Sequence, residues 1–327
     1  MPGSRIELAT LPTPLEPAPR LTEAWSSDGR GPKIWIKRDD LAGFELSGNK
    51  VRKLEFHLGA AVESGASTVI TCGAAQSNHC RATALAAGRL GMQTILFLRT
   101  PDGGPPPVLN GNHLLQRLAG ADCRFITPDQ WEDRDRIMDE AADEIDHPWV
   151  IPEGASDALG VLGFVAAATE LAPQLDEAGI EHATIWHAAS SARTTAGLVR
   201  GTGDLGANIV GASVGDSAGD LERKVTDLLD EADQRFGDMP RASWRITDQY
   251  VGGGYGVAND DELAMQVEAT RLTGLIWDPT YTGKAIVGLR HEIASGGLGP
   301  DTDVVFWHTG GGFATFAHDW ERVLESN

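Results

Sequence analysis

The chain has 327 residues, which is enough for about two domains, and its hydrophobic content of 41% and charged content of 23% are ordinary for a soluble globular protein. This composition excludes general disorder, a collagen-like fibre and a disulfide-packed mini-protein. Lysine and arginine number 27 against 47 aspartates and glutamates, so the formal net charge is −20, which repels phosphate and argues against nucleic acid or an anionic membrane as a partner.

Cysteine usage and the N-terminal segment predict a cytoplasmic protein. The three cysteines are odd in number and show no CxxC spacing, so we expect reduced thiols rather than a disulfide framework or a zinc site. Residues 1–20 are rich in proline and lack the apolar core of a signal peptide. We also expect no membrane-spanning helix, which would need roughly 18 apolar residues.

Short apolar runs alternate along the chain with longer stretches of 3.6-residue periodicity. An extended arm at 11–21 comes first, and the predicted strands are 33–37, 67–72, 93–98, 122–127, 182–188, 208–213 and 302–308. The predicted helices are 78–90, 108–118, 159–171 and 221–236, with a surface loop at 101–107. This alternation favours βαβ units. We therefore predict an α/β protein of two domains, each with a mainly parallel, helix-covered sheet.

Glycine-rich turns follow several strands and mark where chemistry is expected. Such turns contain Gly73 and residues 252–254 and 310–312. In open α/β sheets, ligands bind at the carboxyl ends of strands, where loops lead into helix N-termini. We therefore searched these loops for reactive side chains.

The first candidate is Lys50, which opens a predicted helix after a Gly-Asn turn. Such a lysine is usually only solvated at the surface. A lysine held beside a carbonyl cofactor has another use, because it forms a Schiff base when its pKa is lowered. The residue type alone leaves both interpretations open.

Two further turns offer helix N-termini to anions. Ser77 and Asn78 join a strand to a helix, and either could simply cap that helix or help its free N–H groups receive a carboxylate. Residues 189–198 follow another strand with small hydroxyl side chains that could cradle a phosphate, although many such turns look alike.

Tyr255 and Tyr281 both lie beside glycine-containing turns. A tyrosine at such a place usually packs against the core, and contact with a substrate is the alternative role.

No histidine pair has metal-ligand spacing, so no metal site is predicted. The sequence has no GxGxxG after its first strand, no Walker A motif and no GxSxG elbow, which gives little support to a nucleotide site or a serine hydrolase.

Taken in order, these segments resemble the pyridoxal-phosphate enzymes of the D-cysteine desulfhydrase and 1-aminocyclopropane-1-carboxylate deaminase family, which have the tryptophan-synthase-β-like fold (fold type II). Each segment alone is weak, but their collinear order is specific and covers nearly the whole chain. The resembling segments are 12–16, 36–40, 48–55, 76–79, 152–156, 254–257, 278–285 and 308–311.

The resemblance implies a role for each candidate. Lys50 would hold pyridoxal 5'-phosphate as a Schiff base and move the Cα proton, Asn78 would bind the pyridine O3′, and Ser77 would meet the substrate carboxylate. Tyr255 and Tyr281 would face the substrate, and Thr309 or Thr282 would sit at the pyridine nitrogen. The phosphate would be bound mainly by backbone N–H groups of Ser191, Ala192, Arg193, Thr194 and Thr195.

Two residues favour one branch of the family. Its ring-opening deaminases carry glutamate where this chain has Thr282, and they lack a threonine at the position of Thr309. A hydroxyl against the pyridine nitrogen gives a weaker electron sink than a carboxylate, but one that suffices to expel a thiolate. We therefore expect a carbon–sulfur lyase that releases pyruvate, ammonia and sulfide. Ring opening and β-replacement in specialised metabolism stay as alternatives.

Departures from the family pattern keep the native substrate open. The usual phosphate loop is Ser-Gly-Gly-Thr, and here Ala192 and Arg193 replace both glycines, at a cost of about 1 kcal/mol or more wherever φ must be positive. Arg193 could add a phosphate contact or point to solvent. Ala155 and Asp157 also replace a usual Gly and Asn. A cofactor-free binding protein that reuses the fold is a third hypothesis.

The resemblance also implies an organisation for the whole chain. The large, cofactor-binding domain would comprise residues 1–47 and 159–327, and the small domain residues 48–158. The cofactor would lie between them, and the expected partner is a small amino-acid substrate. We expect a homodimer.

Overall fold

The computed structural model describes residues 4–26, 31–155 and 157–325. The strands are β1 Leu15–Pro17, β2 Lys33–Lys37, β3 Thr68–Ala74, β4 Gln93–Arg99, β5 Asp122–Ile126, β6 Pro148–Val150, β7 Ala183–Ala189, β8 Asn208–Ser213, β9 Ser243–Thr247 and β10 Asp303–Trp307. The helices are α1 Pro19–Trp25, α2 Lys50–Glu63, α3 Asn78–Arg89, α4 Gly111–Leu118, α5 Pro128–Trp131, α6 Arg134–Ala142, α7 Ala158–Ala178, α8 Arg193–Gly201, α9 Ala218–Phe236, α10 Asp260–Thr273, α11 Thr282–Ala294 and α12 Glu321–Leu324.

The strands form two separate sheets that are covered by helices. The six-stranded sheet has the order β1-β2-β10-β7-β8-β9 and is parallel apart from the antiparallel edge strand β1. The four-stranded sheet has the order β5-β4-β3-β6 and is parallel throughout. The predicted α/β class with mainly parallel sheets is confirmed, and the fully buried run of β7 is what two covered faces require.

Several element ends differ from the sequence prediction for local reasons. Three short strands, β1, β6 and β9, were not predicted, because three to five residues carry too little periodicity to identify a strand. Helix α4 begins at Gly111 rather than at residue 108, and Val108 and Leu109 before it are exposed. Helix α7 runs on through Pro173 to Gly179, whose φ of 69° ends it.

Helix α7 also corrects the expectation about membrane segments. It is 21 residues long and, by length and composition, apolar enough to cross a membrane. The expectation that no segment of the chain has this property is therefore wrong. Of its most apolar stretch, 67% is buried inside the protein, and a core helix of a soluble protein passes the same test. The helix packs against α2 and α8.

Close helix packing around α7 fixes α2 and α8 relative to each other. A Cβ on Gly163 of α7 would lie 2.5 Å from the carbonyl oxygen of Arg52 on α2. A Cβ on Gly197 of α8 would lie 2.8 Å from the carbonyl oxygen of Val161 on α7. The two helix N-termini that carry Lys50 and residues 193–195 are therefore held by backbone-to-backbone contacts.

A buried ion-pair network anchors the start of α2 to the six-stranded sheet. Arg52 pairs with Asp39 at 2.8 Å and with Glu170 of α7 at 3.0 Å, and its side chain is only 2% exposed. Lys37 at the end of β2 also contacts Glu170, and Trp307 at the end of β10 donates its indole N–H to Asp39 at 2.8 Å. This network sets the position of the helix turn that carries Lys50.

The strand register brings three of the candidate loops to one edge. Trp307, the last residue of β10, pairs with Lys37 on one side and with His187 on the other. The segments that follow β2, β10 and β7 therefore leave the sheet side by side. They lead to Lys50, Thr309 and Ser191 respectively.

Candidate functional site

Three adjoining cavities line the edge where these loops meet. The inner cavity is bounded by Lys50, Asn78, Tyr281, Thr309 and residues 187–192 and 194–195. The middle cavity shares Lys50 and Tyr281 with it and adds Ser77 and Tyr255. The outer cavity, of about 630 Å³, opens beyond Tyr255. The structure thus gathers candidates that lie up to 259 positions apart, from Lys50 to Thr309, around one cleft.

Lys50 is held by a tight contact between two turns. The N–H of Asn49 donates to the carbonyl oxygen of Thr309 at 3.1 Å. Gly48 has a φ of 105°, and a Cβ there would lie 2.7 Å from the same carbonyl oxygen, so only glycine fits. Burial, together with the nearby Arg193 cation, lowers the pKa of the Lys50 amine to about 8.

The first turn of α8 presents an anion site to the inner cavity. The first N–H groups of a helix have no intrahelical acceptor, and α8 carries no acidic residue in its first turn. The hydroxyl of Thr194 accepts a hydrogen bond from Asn49 at 3.2 Å, which leaves its proton free to donate. The hydroxyl of Thr195 lies 3.2 Å from the ring nitrogen Nε2 of His187.

Both alanines that stand at family glycine positions have left-handed backbones. Ala192 caps α8 with a φ of 62° and ψ of −20°, and Ala155 has a φ of 59°. A non-glycine residue is disfavoured in this region by roughly 1–2 kcal/mol. The strain expected in the phosphate loop is therefore present at Ala192 but not at Arg193, and the same conformation at Ala155 was not predicted.

We expect the Ala192→Gly variant to be more stable than the wild type by about 0.5–1 kcal/mol, since relief of left-handed strain exceeds the added entropy of the unfolded chain. Thermal or urea unfolding measures the change. Ala264→Gly, in the middle of α10, is the matched control and should lose about 0.5–1 kcal/mol. Equal losses in the two variants would contradict the assigned strain.

Asn78 and Ser77 occupy different roles at the start of α3. Ser77 caps the helix, because its hydroxyl accepts the N–H of Cys80 at 3.2 Å. The amide oxygen of Asn78 accepts a hydrogen bond from Asn112 at 2.9 Å. That bond leaves the amide N–H₂ of Asn78 as a donor at the wall of the inner cavity. Ser77 lines the middle cavity.

The two predicted tyrosines form a pair across the middle cavity. Their hydroxyl oxygens are 2.6 Å apart, and their rings meet edge to face with centroids 5.8 Å apart. Burial raises the pKa of both Tyr255 and Tyr281 above the ordinary value of 10.0. Both therefore stay protonated near neutral pH and can serve as neutral hydrogen-bond donors.

Asp278 organises the turn that carries Tyr281, a role the sequence analysis did not assign. Its buried carboxylate accepts the backbone N–H groups of Tyr281 and Thr282 at 2.9 and 2.8 Å. It also accepts the hydroxyl of Thr282 at 2.7 Å, while that hydroxyl accepts the N–H of Asp278. Thr282 is fully buried and lies outside the three cavities, whereas Thr309 lines the inner one.

Arg193 does not point to solvent, which removes one of the two alternatives for it. The side chain is 7% exposed and faces the outer cavity.

Asp157 caps α7 by accepting the N–H of Gly160 at 3.0 Å, and it lies 3.1 Å from His57. Ser156, within the resembling segment 152–156, lies outside the described residues.

Comparison with known families establishes the class of protein. The model of the family "Pyridoxal-phosphate dependent enzyme" matches residues 6–310. The chain belongs to this family, and its cofactor is pyridoxal phosphate. This membership argues against the hypothesis of a cofactor-free binding protein.

Individual relatives narrow the comparison. The chain is 38% identical over 322 residues to the D-cysteine desulfhydrase of Klebsiella pneumoniae (strain 342), with 96% of each chain covered. It superimposes on the crystal structure of an ACC deaminase homologue with a TM-score of 0.85 and 34% identity, covering 99% of this chain and 96% of the other. A fungal L-serine ammonia-lyase from Rhizomucor miehei, at 16% identity and a TM-score of 0.64, shares the fold, covering 96% of this chain and 97% of the other.

The donor groups of the inner cavity fit this cofactor. An amine of lowered pKa suits an aldehyde, and a helix N-terminus flanked by hydroxyls suits a phosphate. The free N–H₂ of Asn78 suits a phenolic oxygen, and the hydroxyl of Thr309 suits a ring nitrogen. All four groups line the inner cavity, so it offers a partner for the aldehyde, the phosphate, the phenolic oxygen and the ring nitrogen of pyridoxal phosphate.

Proposed function

We propose that this chain is a lyase that catalyses α,β-elimination on a small amino acid, in the manner of a D-cysteine desulfhydrase. Pyruvate, ammonia and sulfide would be the products from D-cysteine. The observation that carries the proposal is the buried amine of Lys50, which faces the N-terminus of α8 across a cavity shared with Asn78 and Thr309. The relative of matching length named D-cysteine desulfhydrase supports the choice of reaction.

Four groups would hold the cofactor. Lys50 would bind its aldehyde covalently, and the backbone N–H groups of Ser191, Ala192, Thr194 and Thr195 would bind its phosphate, whereas the N–H of Arg193 already donates to the carbonyl oxygen of Ser191. Asn78 donates to its ring oxygen. Thr309 contacts its ring nitrogen, and we favour it over Thr282, because the Thr282 hydroxyl is already bonded twice to Asp278. The bound cofactor supplies an electron sink for the pair left when the Cα proton departs.

The chain's own residues would move the protons and orient the substrate. Lys50 takes the proton from Cα, a task suited to an amine with a pKa of about 8. Ser77 and the free N–H groups at the start of α3 receive the substrate carboxylate, helped by the absence of acidic residues in that turn. Of the paired hydroxyls of Tyr255 and Tyr281, the one whose proton is not used within the pair donates a hydrogen bond to the side chain that leaves.

One local feature favours elimination over ring opening. The turn at Tyr281 offers no carboxylate to the cavity. The Asp278 carboxylate already accepts hydrogen bonds from the N–H groups of that turn, and position 282 is threonine. A hydroxyl donor suffices to protonate a good leaving group such as a thiolate. Ring opening of a cyclopropane and β-replacement are the other outcomes that the following assay distinguishes.

Product analysis tests the proposal. The purified holoenzyme is incubated with both enantiomers of cysteine, with serine, and with 1-aminocyclopropane-1-carboxylate. We expect pyruvate, ammonia and sulfide in equal amounts from one cysteine enantiomer. Formation of 2-oxobutyrate from the cyclopropane substrate alone, or of a new amino acid when a second thiol is added, would instead establish ring opening or replacement.

We further propose a domain division, a homodimer and a cytoplasmic location. The four-stranded sheet lies wholly within 48–158, and all strands of the other sheet lie within 1–47 and 159–327, which supports the predicted boundaries. Phe44 is 83% exposed and meets the ring of Phe313 edge to face, and Phe316, three positions after Phe313, is 75% exposed; such exposed aromatic side chains suit a subunit contact. Sedimentation at the mass of one chain would contradict the homodimer.

A further inference from the structure

Arg193 places a cation in the cleft that its own surroundings leave unpartnered. Its side chain is only 7% exposed, and within residues 4–26, 31–155 and 157–325 its Nε and Nη1 atoms have no hydrogen-bond acceptor. Among the described residues no carboxylate oxygen lies within 4.0 Å of the guanidinium. Buried N–H donors of a cation are rarely left unpaired, so this group calls for an anionic ligand.

The loop that carries Arg193 faces two cavities at once. Ala192, Thr194 and Thr195 line the inner cavity, Arg193 lines the outer one, and Ser191 lines both. The main chain at the start of α8 and the guanidinium therefore point to different spaces. An anion held by Arg193 would be distinct from the phosphate at the helix N-terminus.

Further cations lie on the wall of the outer cavity. Arg99 and Arg134 lie against the ring of Trp131, at 4.9 and 5.0 Å from its centroid, and both line this cavity, as does Lys224. The cation–π contacts keep Arg99 and Arg134 beside the cavity.

The acidic groups of this cavity are paired or lie at its rim. Asp216 pairs with Lys224 at 2.6 Å, and Glu153 lies 3.5 Å from Arg134. Glu132 and Asp135 are exposed, where solvent and salt screen them. Arg193 and Arg99 form no ion pair among the described residues, which leaves both cations available to a ligand. Asp157, Glu153 and Glu231 act on Arg193 electrostatically, but none forms an ion pair with it there.

The outer cavity continues directly from the place proposed for the reacting amino acid. Ser190, Ser191 and Tyr255 line both it and the middle cavity, which Lys50 also lines. Its volume of about 630 Å³ is far larger than a thiol group needs and lies in the range of cavities that take whole organic ligands. A substrate anchored at Lys50 can thus extend past Tyr255 towards Arg193.

We propose that the outer cavity binds an anionic group on the leaving portion of the substrate, with Arg193 and Arg99 as its ligands. The preferred substrates are β-substituted amino acids whose thioether substituent carries a carboxylate, sulfonate or phosphate. This inference rests on the proposed elimination and specifies its substrate class.

The chemistry balances without a further reactant. The Cα–H bond breaks and its electron pair forms the Cα–Cβ double bond, while the Cβ–S bond breaks and its pair leaves with sulfur. The departing thiolate takes up one proton, and water hydrolyses the released enamine to pyruvate and ammonium. The anionic group itself is unchanged and serves only for binding.

A matched pair of substrates tests the inference. S-carboxymethyl-cysteine and S-carbamoylmethyl-cysteine have nearly the same shape and differ by one negative charge; both enantiomers of each are assayed beside cysteine. We expect kcat/KM to favour the charged substrate by about tenfold or more, because a charge-assisted bidentate contact is lost with the amide. In Arg193→Met and Arg99→Met this ratio falls towards one, chiefly through KM. Arg223→Met, an exposed arginine on α9, should keep the wild-type ratio.

The outcomes separate this inference from the proposed function. Turnover of cysteine with a wild-type ratio near one would overturn the anion site and leave the lyase intact, whereas no turnover of any substrate would overturn the lyase. Equal losses on both substrates in Arg193→Met, together with weaker cofactor retention measured by dialysis and absorbance, would assign Arg193 to the cofactor phosphate instead. Calorimetric binding of S-carboxymethyl-cysteine to Lys50→Ala, weakened by a second change at Arg99, would support the anion site without turnover.

Discussion

We expect the Lys50→Ala variant to lose at least about 10³-fold in turnover and to lack the absorbance band of the lysine–cofactor bond, because one amine supplies both the covalent anchor and the base. The phosphate site at the start of α8 does not involve the Lys50 side chain. The variant should therefore still bind pyridoxal phosphate reversibly, with the spectrum of the free aldehyde.

Two further variants make this result specific. Lys33→Ala removes an exposed lysine of β2 and should keep wild-type activity and colour. Lys50→Arg retains a cation of similar length that cannot form the bond, and it should be as inactive as the alanine variant. Retained turnover in either Lys50 variant would refute the assigned role.

We expect Arg52→Met to lower the free energy of unfolding by about 3–5 kcal/mol, the range for removing one partner of a buried ion pair. Arg52 is 2% exposed and neutralises Asp39, which is fully buried, together with Glu170. Because Arg52 lies two residues after Lys50, we also expect weaker cofactor binding. Urea unfolding and cofactor titration measure the two effects.

Arg136→Met is the matched control for this change. Arg136 also pairs with two carboxylates, but it is 59% exposed, so its loss should cost no more than about 1 kcal/mol. Equal effects of the two substitutions would contradict the structural role of the network.

The same network predicts an acid dependence of stability in the wild type. Burial alone would raise the pKa of Glu170, but hydrogen bonds from Arg52 and Lys37 outweigh it and lower the pKa from 4.5 to about 2. The stabilisation is therefore complete above pH 4.5 and is lost as the pH falls towards 2. Arg52→Met should weaken this dependence.

The sequence was sufficient for most of the fold. Long apolar strands such as 93–98 and 208–213 and long periodic helices were placed within a few residues, because their patterns repeat over several turns. The order of strands in each sheet was not predicted, since pairing depends on contacts between distant segments such as β2 and β10. The length of helix α7 was underestimated, because its small apolar residues extend beyond the clearest periodic stretch.

The structure brings most of the candidate residues together, but the contacts that hold them in place could not be read from the sequence. The positive φ of Ala192 was foreseen as a possibility, because a family glycine is replaced there. The direction of the Arg193 side chain could not be read from its neighbours in the chain, as it depends on the walls supplied by β4, α6 and α9. Asp278 was passed over, although its position before Pro279 is a signal for a turn-capping carboxylate.

The most direct test of the account is to reduce the holoenzyme with borohydride and to locate the phosphopyridoxyl group by peptide mass spectrometry. The account predicts modification of Lys50 alone, with one group per chain. The neighbouring Lys53 is the strongest competitor, because it is buried one helical turn later and has no hydrogen-bond partner in the part of the chain that the structure describes. A label on Lys53 or on any lysine other than Lys50 would contradict the assignment of the catalytic amine.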